Sequence, residues 1–459
     1  MSWPARIGLV AGPLLAAAIA LVVQRTGLGP DAIWTAAVAM LCAVWWMTEP
    51  IPIPVTSLLP IAIFPMVGVL TARDVGAAYG EPMILLLMGG AMLSTALEKS
   101  GAHRRLALGM VNLIGARSSF RLILGFMVAG AALSMWISNA ATTLMMLPIA
   151  VAAVEKVSDK RLAAAVLLGV AYAASIGGIG TPVGTPPNLI FMQEYTSATG
   201  KEISFLTFMS WTLPIVVIMT PLAALVLSRG LPKKLDLHLE STGPWRPEEI
   251  RTFAGFAITA LLWVTRAEPW GGWSTWLGLP NATDASVALL AVVAMCLLPN
   301  GRGGKLLDWK AAEGIPWGVL ILFSGGLVIA DAFEKSKLSL LIAESVSGLT
   351  ALPPLALIGL VCVTVIFLTE FTSNTALATL LMPIMAAAAK GANIDPLTLM
   401  APAAIAASYG FMMPVGTAPN AIVFGSGRVT VGQMAKHGLA INLLGAVVIT
   451  VCFWWYGQR

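Results

Sequence analysis

Residues 122–154 read LILGFMVAGAALSMWISNAATTLMMLPIAVAAV, a run of 33 residues without a charged side chain. A continuous helix of this length would reach about 50 Å, whereas the apolar core of a bilayer is about 30 Å thick. Ser138 and Asn139 stand at the midpoint of the run, and both residue types are preferred at helix N-termini. The run therefore predicts two half-length helices that meet at Ser138-Asn139 and form a re-entrant hairpin.

Two further runs are also too long for one crossing, and each contains a helix-breaking motif. Residues 162–193 carry GGIGTPVGTPPN at 177–188, and residues 396–427 carry PVGTAPN at 414–420. Proline lacks the amide that helical hydrogen bonding needs, and glycine favours non-helical backbone. Both runs are therefore predicted to be broken helices. Shorter uncharged runs, such as residues 7–24 and 50–72, fit single crossings.

The composition of the whole chain indicates a membrane protein. Of 459 residues, 58% are hydrophobic and only 11% are charged, against about 25% charged residues in soluble domains. This excludes an ordinary soluble enzyme, a disordered protein and a nucleic-acid-binding protein, and it makes the lipid bilayer the surroundings of the chain. The four cysteines lie in apolar runs and form no metal-binding pattern.

Four landmarks occur twice in the same order. Gly-Gly at 89–90 and Glu-Lys-Ser at 98–100 recur 236 residues later, and Ser-Asn at 138–139 recurs at 373–374. Gly-Thr-x-Pro-Asn at 184–188 recurs at 416–420. The chain is therefore predicted to consist of two copies of about 200 residues after an additional N-terminal helix. The two copies are predicted to begin on opposite sides of the membrane, because each copy contains an odd number of crossings.

The predicted fold is an all-α polytopic membrane protein with two inverted repeats, eleven transmembrane helices and two re-entrant hairpins. Most of the 27 Lys and Arg residues fall in loops on the side of the N-terminus, so the positive-inside rule places the N-terminus in the cytoplasm and the C-terminus outside. The predicted N-terminal helix covers residues 1–30, and a predicted cytoplasmic linker covers residues 229–249. Repeat 1 is predicted at 31–228, with its hairpin at about 119–156 and its broken helix at about 162–196. Repeat 2 is predicted at 250–459, with its hairpin at about 352–390 and its broken helix at about 396–426.

Inverted repeats with discontinuous helices are typical of secondary transporters. The N-termini of half-helices carry unpaired amides and a positive dipole end, which suit a carboxylate or another anion. Interrupted backbone frees carbonyl oxygens, which suit a hard cation. None of the three long runs contains Lys or Arg. Because a bare anion is costly to bury, a co-transported cation such as Na⁺ would neutralise it and couple the two fluxes.

The segment 134–148 and its counterpart 372–376 resemble the paired Ser-Asn-Thr signatures of the divalent anion/sodium symporter family, also called the DASS or INDY-type family. The runs 45–54, 174–188 and 413–425 resemble it as well, so the resemblance covers nearly the whole chain. It implies an elevator-type transporter with scaffold and transport domains that forms a homodimer in the inner membrane. It also implies Na⁺ as the co-transported ion and di- or tricarboxylates such as succinate, malate, fumarate or citrate as substrates, or sulfate in some relatives.

The resemblance further implies the residues of the site, none of which is catalytic. Substrate would lie between the hairpin tips against Asn139, Ala140, Thr185, Ser373, Asn374, Thr375 and Thr417. A first Na⁺ site would involve Ser134, Ser138, Asn139 and Gly184, and a second would involve Thr369, Thr372, Asn374 and Gly416. Ala140 departs from the family pattern, which has threonine at this position, so one hydroxyl beside the substrate is missing.

Several alternatives stay open at this point. A sodium-independent exchanger of di- or tricarboxylates and a Na⁺/sulfate symporter would use the same fold. A channel is a different class, and an intramembrane enzyme would need a nucleophile with a base or paired aspartates, which the spans do not offer. Glu370 is either a proton or cation relay or a buried carboxylate tied to backbone amides. Glu49 is interpreted as the cap of an interfacial turn.

Overall fold

The computed structural model describes residues 3–155, 159–235, 243–345 and 352–458. Residues 236–242 of the predicted linker therefore lie outside the described residues. Within the described ranges the chain is helical, with one isolated β-bridge between Pro299 and Lys305. The first helices are α1 (Trp3–Gln24), α2 (Pro30–Thr48), α3 (Ile53–Thr56), α4 (Leu58–Val67), α5 (Ala72–Tyr79), α6 (Pro82–Ser100) and α7 (Ala102–Ile114).

The middle of the chain contains the first pair of half-helices and the first broken helix. These are α8 (Ser119–Ser134), α9 (Asn139–Val154), α10 (Lys160–Gly178) and α11 (Pro186–Thr199), followed by α12 (Phe205–Ser228). After the linker come α13 (Pro247–Val264), α14 (Gly272–Trp276), α15 (Asp284–Leu297), α16 (Trp309–Ala312), α17 (Trp317–Lys335) and α18 (Leu338–Ser345). The last helices are α19 (Pro354–Thr369), α20 (Asn374–Gly391), α21 (Leu397–Ala406), α22 (Ala418–Gly425) and α23 (Val431–Tyr456).

Seven helical segments in the described part of the chain are long and apolar enough to cross a membrane. They are α1, α2, the combined segment Ala72–Ser100, α10, α12, α17 and α23. Six further apolar segments are only 10–17 residues long. Among these are three of the four half-helices, α8, α9 and α19, whose shortness follows from the turns at 135–138 and 370–373. The fourth half-helix, α20, has 18 residues. The chain is thus a helical membrane protein, while eleven crossings remain a prediction.

Residues 50–72, which fit a single crossing by their length and lack of charge, do not form one continuous helix. Five prolines fall between residues 50 and 65, and the helical part is divided into α3 and α4 at Ser57. Helix α4 then ends at Gly68, whose φ of +81° is favourable only for glycine. The helical stretch is therefore too short to span a bilayer by itself.

Helix α10 lies at the centre of the body that carries the hairpins. Every residue from Ala164 to Gly178 is buried, and the helix packs against α8, α9, α12 and α22. At Gly177 a methyl group would lie 2.2 Å from the carbonyl oxygen of Ala131 on α8. Glycine at this position therefore permits the close approach of the two helices, and it brings the break after α10 next to the first hairpin.

Two ion pairs join the halves of the chain reciprocally. Lys99, at the end of α6, pairs with Asp308, which caps α16 in the second half. Lys335, at the end of α17, pairs with Asp74 in the first turn of α5, with 2.7 Å between Nζ and Oδ2. Each half thus contributes one lysine and one aspartate, as two copies related by a two-fold axis would.

Helix α7 is fixed to the start of α13 by a buried carboxylate. Arg105 donates from Nε to Glu249 at 2.7 Å, and Arg246 donates from Nη2 to the same carboxylate at 2.8 Å. Hydrogen bonds from these arginines lower the pKa of Glu249, although its burial opposes the shift. The segment that leads into the first hairpin is therefore anchored to the second half of the chain.

Candidate functional site

The first hairpin tip is closed by polar side chains. Helix α8 ends at Ser134 and helix α9 begins at Asn139, and the Ser134 hydroxyl donates a 2.7 Å hydrogen bond to the side-chain oxygen of Asn139. The Ser138 hydroxyl caps α9 by accepting the backbone amide of Ala141 at 3.2 Å. These contacts fix the N-terminus of α9 at the tip.

The second hairpin tip has the same arrangement with Thr369 and Asn374, whose side-chain atoms lie 2.7 Å apart. Thr369 Oγ1 also donates to the Ala407 carbonyl at 2.7 Å. The single proton of the Thr369 hydroxyl cannot be donated to both the Ala407 carbonyl and the Asn374 side-chain oxygen. If the Asn374 nitrogen faces Thr369 instead, the nitrogen donates to the hydroxyl oxygen and both hydrogen bonds form. In that orientation the nitrogen lies 3.1 Å from the Ala407 oxygen and 3.3 Å from the Gly416 oxygen. One end of the Asn374 amide therefore lies among three oxygen atoms.

Each break in the two broken helices is held by one buried asparagine. Asn188 donates from Nδ2 to the carbonyls of Gly178 at 3.0 Å and Thr181 at 2.7 Å. Asn420 donates to the carbonyls ten and seven residues before it, at 2.9 Å each. Both side chains are fully buried. They pair carbonyl groups that an interrupted helix leaves without helical partners.

A cavity of about 360 Å³ lies where the hairpin tips and the breaks meet. Four helices begin at its wall, namely α9, α11, α20 and α22. The residues at these helix starts that line the cavity are Asn139, Thr185, Ser373 and Thr417. Helix N-termini present unpaired amides and a positive dipole end, so their convergence creates the electrostatics of an anion site. The Thr185 and Ser373 side chains do not cap their own helices, which leaves their hydroxyls available to a ligand.

The structure brings together most of the residues predicted to contact substrate. The six that line the cavity are Asn139, Thr185, Ser373, Asn374, Thr375 and Thr417. Ala140 is half-buried and is not among the described lining residues. The lining comes from both halves of the chain, so residues more than 200 positions apart in sequence form one wall.

The first group of predicted sodium ligands is compact except for Ser138. A methyl group on Gly178 would lie 2.5 Å from Asn139 Oδ1, and one on Gly184 would lie 2.4 Å from the Gly178 carbonyl oxygen. Asn139, its partner Ser134 and Gly184 therefore meet at the first break. Ser138 is exposed, and its hydroxyl is occupied in capping α9.

In the second group, Thr369, Asn374 and Gly416 are in direct contact through the Asn374 amide. Thr372 lines the cavity, but its hydroxyl donates to the Leu368 carbonyl at 3.1 Å. The described residues contain no group of three or more His, Cys, Asp or Glu side chains able to hold a metal ion. The oxygen atoms of both groups are neutral amides, hydroxyls and carbonyls, which suit a weakly held alkali cation better than a tightly bound transition metal.

Glu370 is buried beside the second break. Its carboxylate accepts hydrogen bonds from the backbone amides of Met412 at 2.8 Å and Met413 at 2.9 Å, and from Asn442 Nδ2 at 2.7 Å. This is the geometry of a buried carboxylate tied to backbone amides. Its immediate effect is to hold the backbone of the break in position.

Glu49 lies in the cavity wall, a position that its sequence context did not predict. It ends α2 in the left-handed conformation, with φ 48° and ψ 51°, and its amide donates to the Trp45 carbonyl at 2.9 Å. The turn was therefore predicted, but the neighbouring cavity was not. Among the described residues that line the cavity, Glu49 is the one with an ionisable side chain.

Comparison with known structures indicates the fold. The YdaH transporter of Alcanivorax borkumensis aligns with a TM-score of 0.62 and 17% identity over 86% of this chain and 88% of that chain. MtrF of Neisseria gonorrhoeae, described as illuminating a class of antimetabolite efflux pumps, aligns with a TM-score of 0.56 and 13% identity over 85% of this chain and 83% of that chain. At these identities the likeness supports a shared fold alone.

Comparison of sequences is more specific. Residues 5–458 match the family described as the sodium:sulfate symporter transmembrane region. The sodium-dependent dicarboxylate transporter SdcS of Staphylococcus saprophyticus is 37% identical over 470 aligned positions, covering 97% of this chain and 90% of the relative. These matches confirm the resemblance carried by the Ser-Asn signatures. The chain therefore belongs to the sodium:sulfate symporter family, the divalent anion/sodium symporters, and it is a membrane transporter and not an enzyme.

Proposed function

We propose that this protein is a secondary active transporter that carries a dicarboxylate into the cell together with Na⁺. The observation that carries the proposal is the convergence of four helix N-termini, those of α9, α11, α20 and α22, on one cavity. Aligned amides and dipoles favour a ligand with two separated negative groups. The name of the Staphylococcus relative, a sodium-dependent dicarboxylate transporter, supports the same substrate class.

Sodium coupling follows from the charges around the cavity. Its described lining contains no Lys or Arg, so a doubly negative substrate has no fixed positive partner, and burying it uncompensated is unfavourable. We propose that one Na⁺ binds at the group of Ser134, Ser138, Asn139 and Gly184 and another at the group of Thr369, Thr372, Asn374 and Gly416. The contacts within each group support this assignment for all members except Ser138 and Thr372, whose hydroxyls are used elsewhere.

The wider architecture belongs to the same proposal. It comprises two inverted repeats, at 31–228 and 250–459, eleven crossings with two re-entrant hairpins, and an elevator movement of a transport domain along a scaffold. The reciprocal pairs Lys99–Asp308 and Lys335–Asp74 support the two-fold relation between the repeats. A cytoplasmic N-terminus, an outside C-terminus, a homodimer and location in the inner membrane complete the proposal.

Succinate uptake into proteoliposomes tests this function. Purified protein is reconstituted, and radiolabelled succinate uptake is compared under an inward NaCl gradient and an inward choline chloride gradient. Symport predicts uptake that requires Na⁺ and is enhanced by an inside-negative potential if net positive charge moves. Uptake that ignores Na⁺ but needs internal dicarboxylate would establish the exchanger instead.

Sulfate is the alternative anion, and the description of the family favours including it. Competition with excess sulfate, malate, fumarate, citrate or 2-oxoglutarate in the same assay ranks the substrates. Inhibition by sulfate alone would replace the dicarboxylate in this proposal with sulfate and would leave the sodium coupling in place.

A further inference from the structure

The cavity assigned to the anion contains a charged side chain of the unfavourable sign. The polar residues among its described lining are asparagines, threonines and a serine, and the one carboxylate is Glu49. Glu49 is exposed, and no ion pair involves it within the described ranges of the chain. It comes from α2, whereas the remaining lining comes from the hairpin tips and the breaks.

The backbone holds Glu49 in a conformation that residues other than glycine seldom adopt. Its φ and ψ of 48° and 51° lie in the left-handed region. The surrounding contacts maintain it, because its amide donates to Trp45 and the indole of Trp46 donates to Ser57 Oγ at 3.0 Å. Such conformations persist where the structure over-determines them and often occur at functional sites. The backbone from which the carboxylate extends is therefore held in a fixed position.

The carboxylate is close enough to act on any ion in the cavity. A sphere of 360 Å³ is about 9 Å across, which is similar to the Debye length of about 8 Å at physiological ionic strength. Charges within the cavity are consequently only partly screened from Glu49. Its carboxylate repels an anion, repels a dianion about twice as strongly, and attracts a cation.

We infer that Glu49 is a specificity-determining residue that weakens the binding of a dicarboxylate and strengthens the binding of Na⁺ at this cavity. Its negative charge favours cations that enter before the anion, so that the dicarboxylate meets a site in which positive charge is already present. The helix N-termini and the bound cations attract the anion, and Glu49 sets how readily those cations bind. This inference rests on the proposed function and adds a residue that favours cation binding before anion binding.

Binding measurements on the purified full-length protein test the inference. The dissociation constant of succinate is measured by calorimetry in saturating NaCl and in choline chloride, and Na⁺ binding is measured without succinate, for wild type and Glu49→Gln. We expect succinate binding without Na⁺ to strengthen in Glu49→Gln and Na⁺ binding without succinate to weaken. Each of these two affinities should change about three- to tenfold. The succinate affinity in saturating NaCl should rise as well, because Glu49 repels the dianion in both salts.

The opposite signs of these two changes separate a charge effect from structural damage, which would weaken both. Glu49→Asp keeps the charge and should stay close to the wild-type affinities, and Glu313→Gln removes an exposed carboxylate outside the cavity lining and should leave both affinities unchanged. Unchanged affinities in Glu49→Gln, or a parallel loss of both, would overturn the inference and leave the proposed function intact. Wild-type protein that binds neither succinate nor sulfate in NaCl would overturn both.

Discussion

Thr369 and Asn374 meet side chain to side chain at 2.7 Å across the turn of the second hairpin, as Ser134 and Asn139 do across the first. In each pair, a hydroxyl residue that ends one half-helix holds the asparagine that begins the next half-helix. Both asparagines also line the cavity. The pairs therefore position two amides and two helix N-termini on a common ligand space.

Replacing Asn139 or Asn374 with alanine is expected to abolish succinate uptake while leaving expression and folding intact. Each variant removes a side-chain amide that belongs to a proposed sodium group and lines the cavity. Uptake into proteoliposomes measures the loss, and size-exclusion chromatography checks the fold. Asn281→Ala, in an exposed loop, serves as the matched control. Normal transport in both variants would remove these asparagines from the site.

Replacing Asn188 or Asn420 with alanine is expected to destabilise the protein by about 2–3 kcal/mol, because each variant loses two buried hydrogen bonds. The carbonyls of Thr181 and Met413 keep a backbone amide partner, whereas those of Gly178 and Gly410 lose their side-chain donor. The change is measured as a lower midpoint of thermal unfolding in detergent, with Asn281→Ala as the control. The effect should be similar for the two residues, because their carbonyl partners lie at the same spacing. A shift no larger than that of the control would show that the breaks hold their shape without these amides.

Local chemistry explains what the sequence predicted correctly. Helix α9 begins at Asn139 and α20 begins at Asn374, since Ser-Asn favours a helix start wherever it occurs. The breaks at 179–185 and 407–417 follow Gly and Pro for the same local reason. Membership of the family was predicted correctly because the signatures themselves are short and contiguous.

Contacts between distant segments explain what the sequence did not predict. The place of Glu49 in the cavity wall depends on how α2 packs against the hairpins, and no local pattern encodes that packing. The roles of Asn188 and Asn420 depend on carbonyls that turn inward ten and seven residues earlier. The lack of charge in residues 50–72 predicts one crossing, but it does not show where the prolines interrupt the helix.

A second cavity, of about 330 Å³, lies between α11, α17 and α20 and is lined by Glu194, Asp331 and Glu334. Glu194 is only 5% exposed, and its side chain makes no hydrogen bond or ion pair within the described part of the chain. Because an unpaired buried carboxylate is unfavourable near other carboxylates, Glu194→Gln is expected to stabilise the protein by about 1–3 kcal/mol at pH 8. The change is measured as the midpoint of thermal unfolding of Glu194→Gln, with Glu313→Gln as the control. A lower stability in Glu194→Gln would instead indicate that the charge has a partner.

His103, on α7 outside the membrane-spanning segments, is expected to make stability sensitive to acid. Its Nδ1 lies 2.9 Å from the Leu97 carbonyl, and burial lowers the pKa of the imidazole, with a smaller contribution from Arg104. A lowered pKa in the folded state means that folding disfavours protonation. The stability associated with neutral His103 is therefore present above about pH 6.5 and is lost as the pH falls through the lower, folded-state pKa.

Thermal unfolding of wild type and His103→Gln between about pH 7.5 and pH 5 tests this dependence. Glutamine can still donate to Leu97 but does not titrate, so the variant should lose less stability on acidification. Parallel curves for the two proteins would assign the acid sensitivity to other groups.

Restoring a hydroxyl at Ala140 is expected to tighten substrate binding. Ala140 follows Asn139 on α9 as Thr375 follows Asn374 on α20, and Thr375 lines the cavity. A neutral hydrogen bond contributes about 0.5–1.5 kcal/mol, so Ala140→Thr should lower the succinate concentration for half-maximal uptake about two- to tenfold, and Thr375→Ala should raise it by a similar factor. Ala141→Thr, one position further along the helix, is the control and should change it little. An unchanged half-maximal concentration in Ala140→Thr would show that position 140 lies too far from the anion to contact it, and that the two hairpins bind substrate asymmetrically.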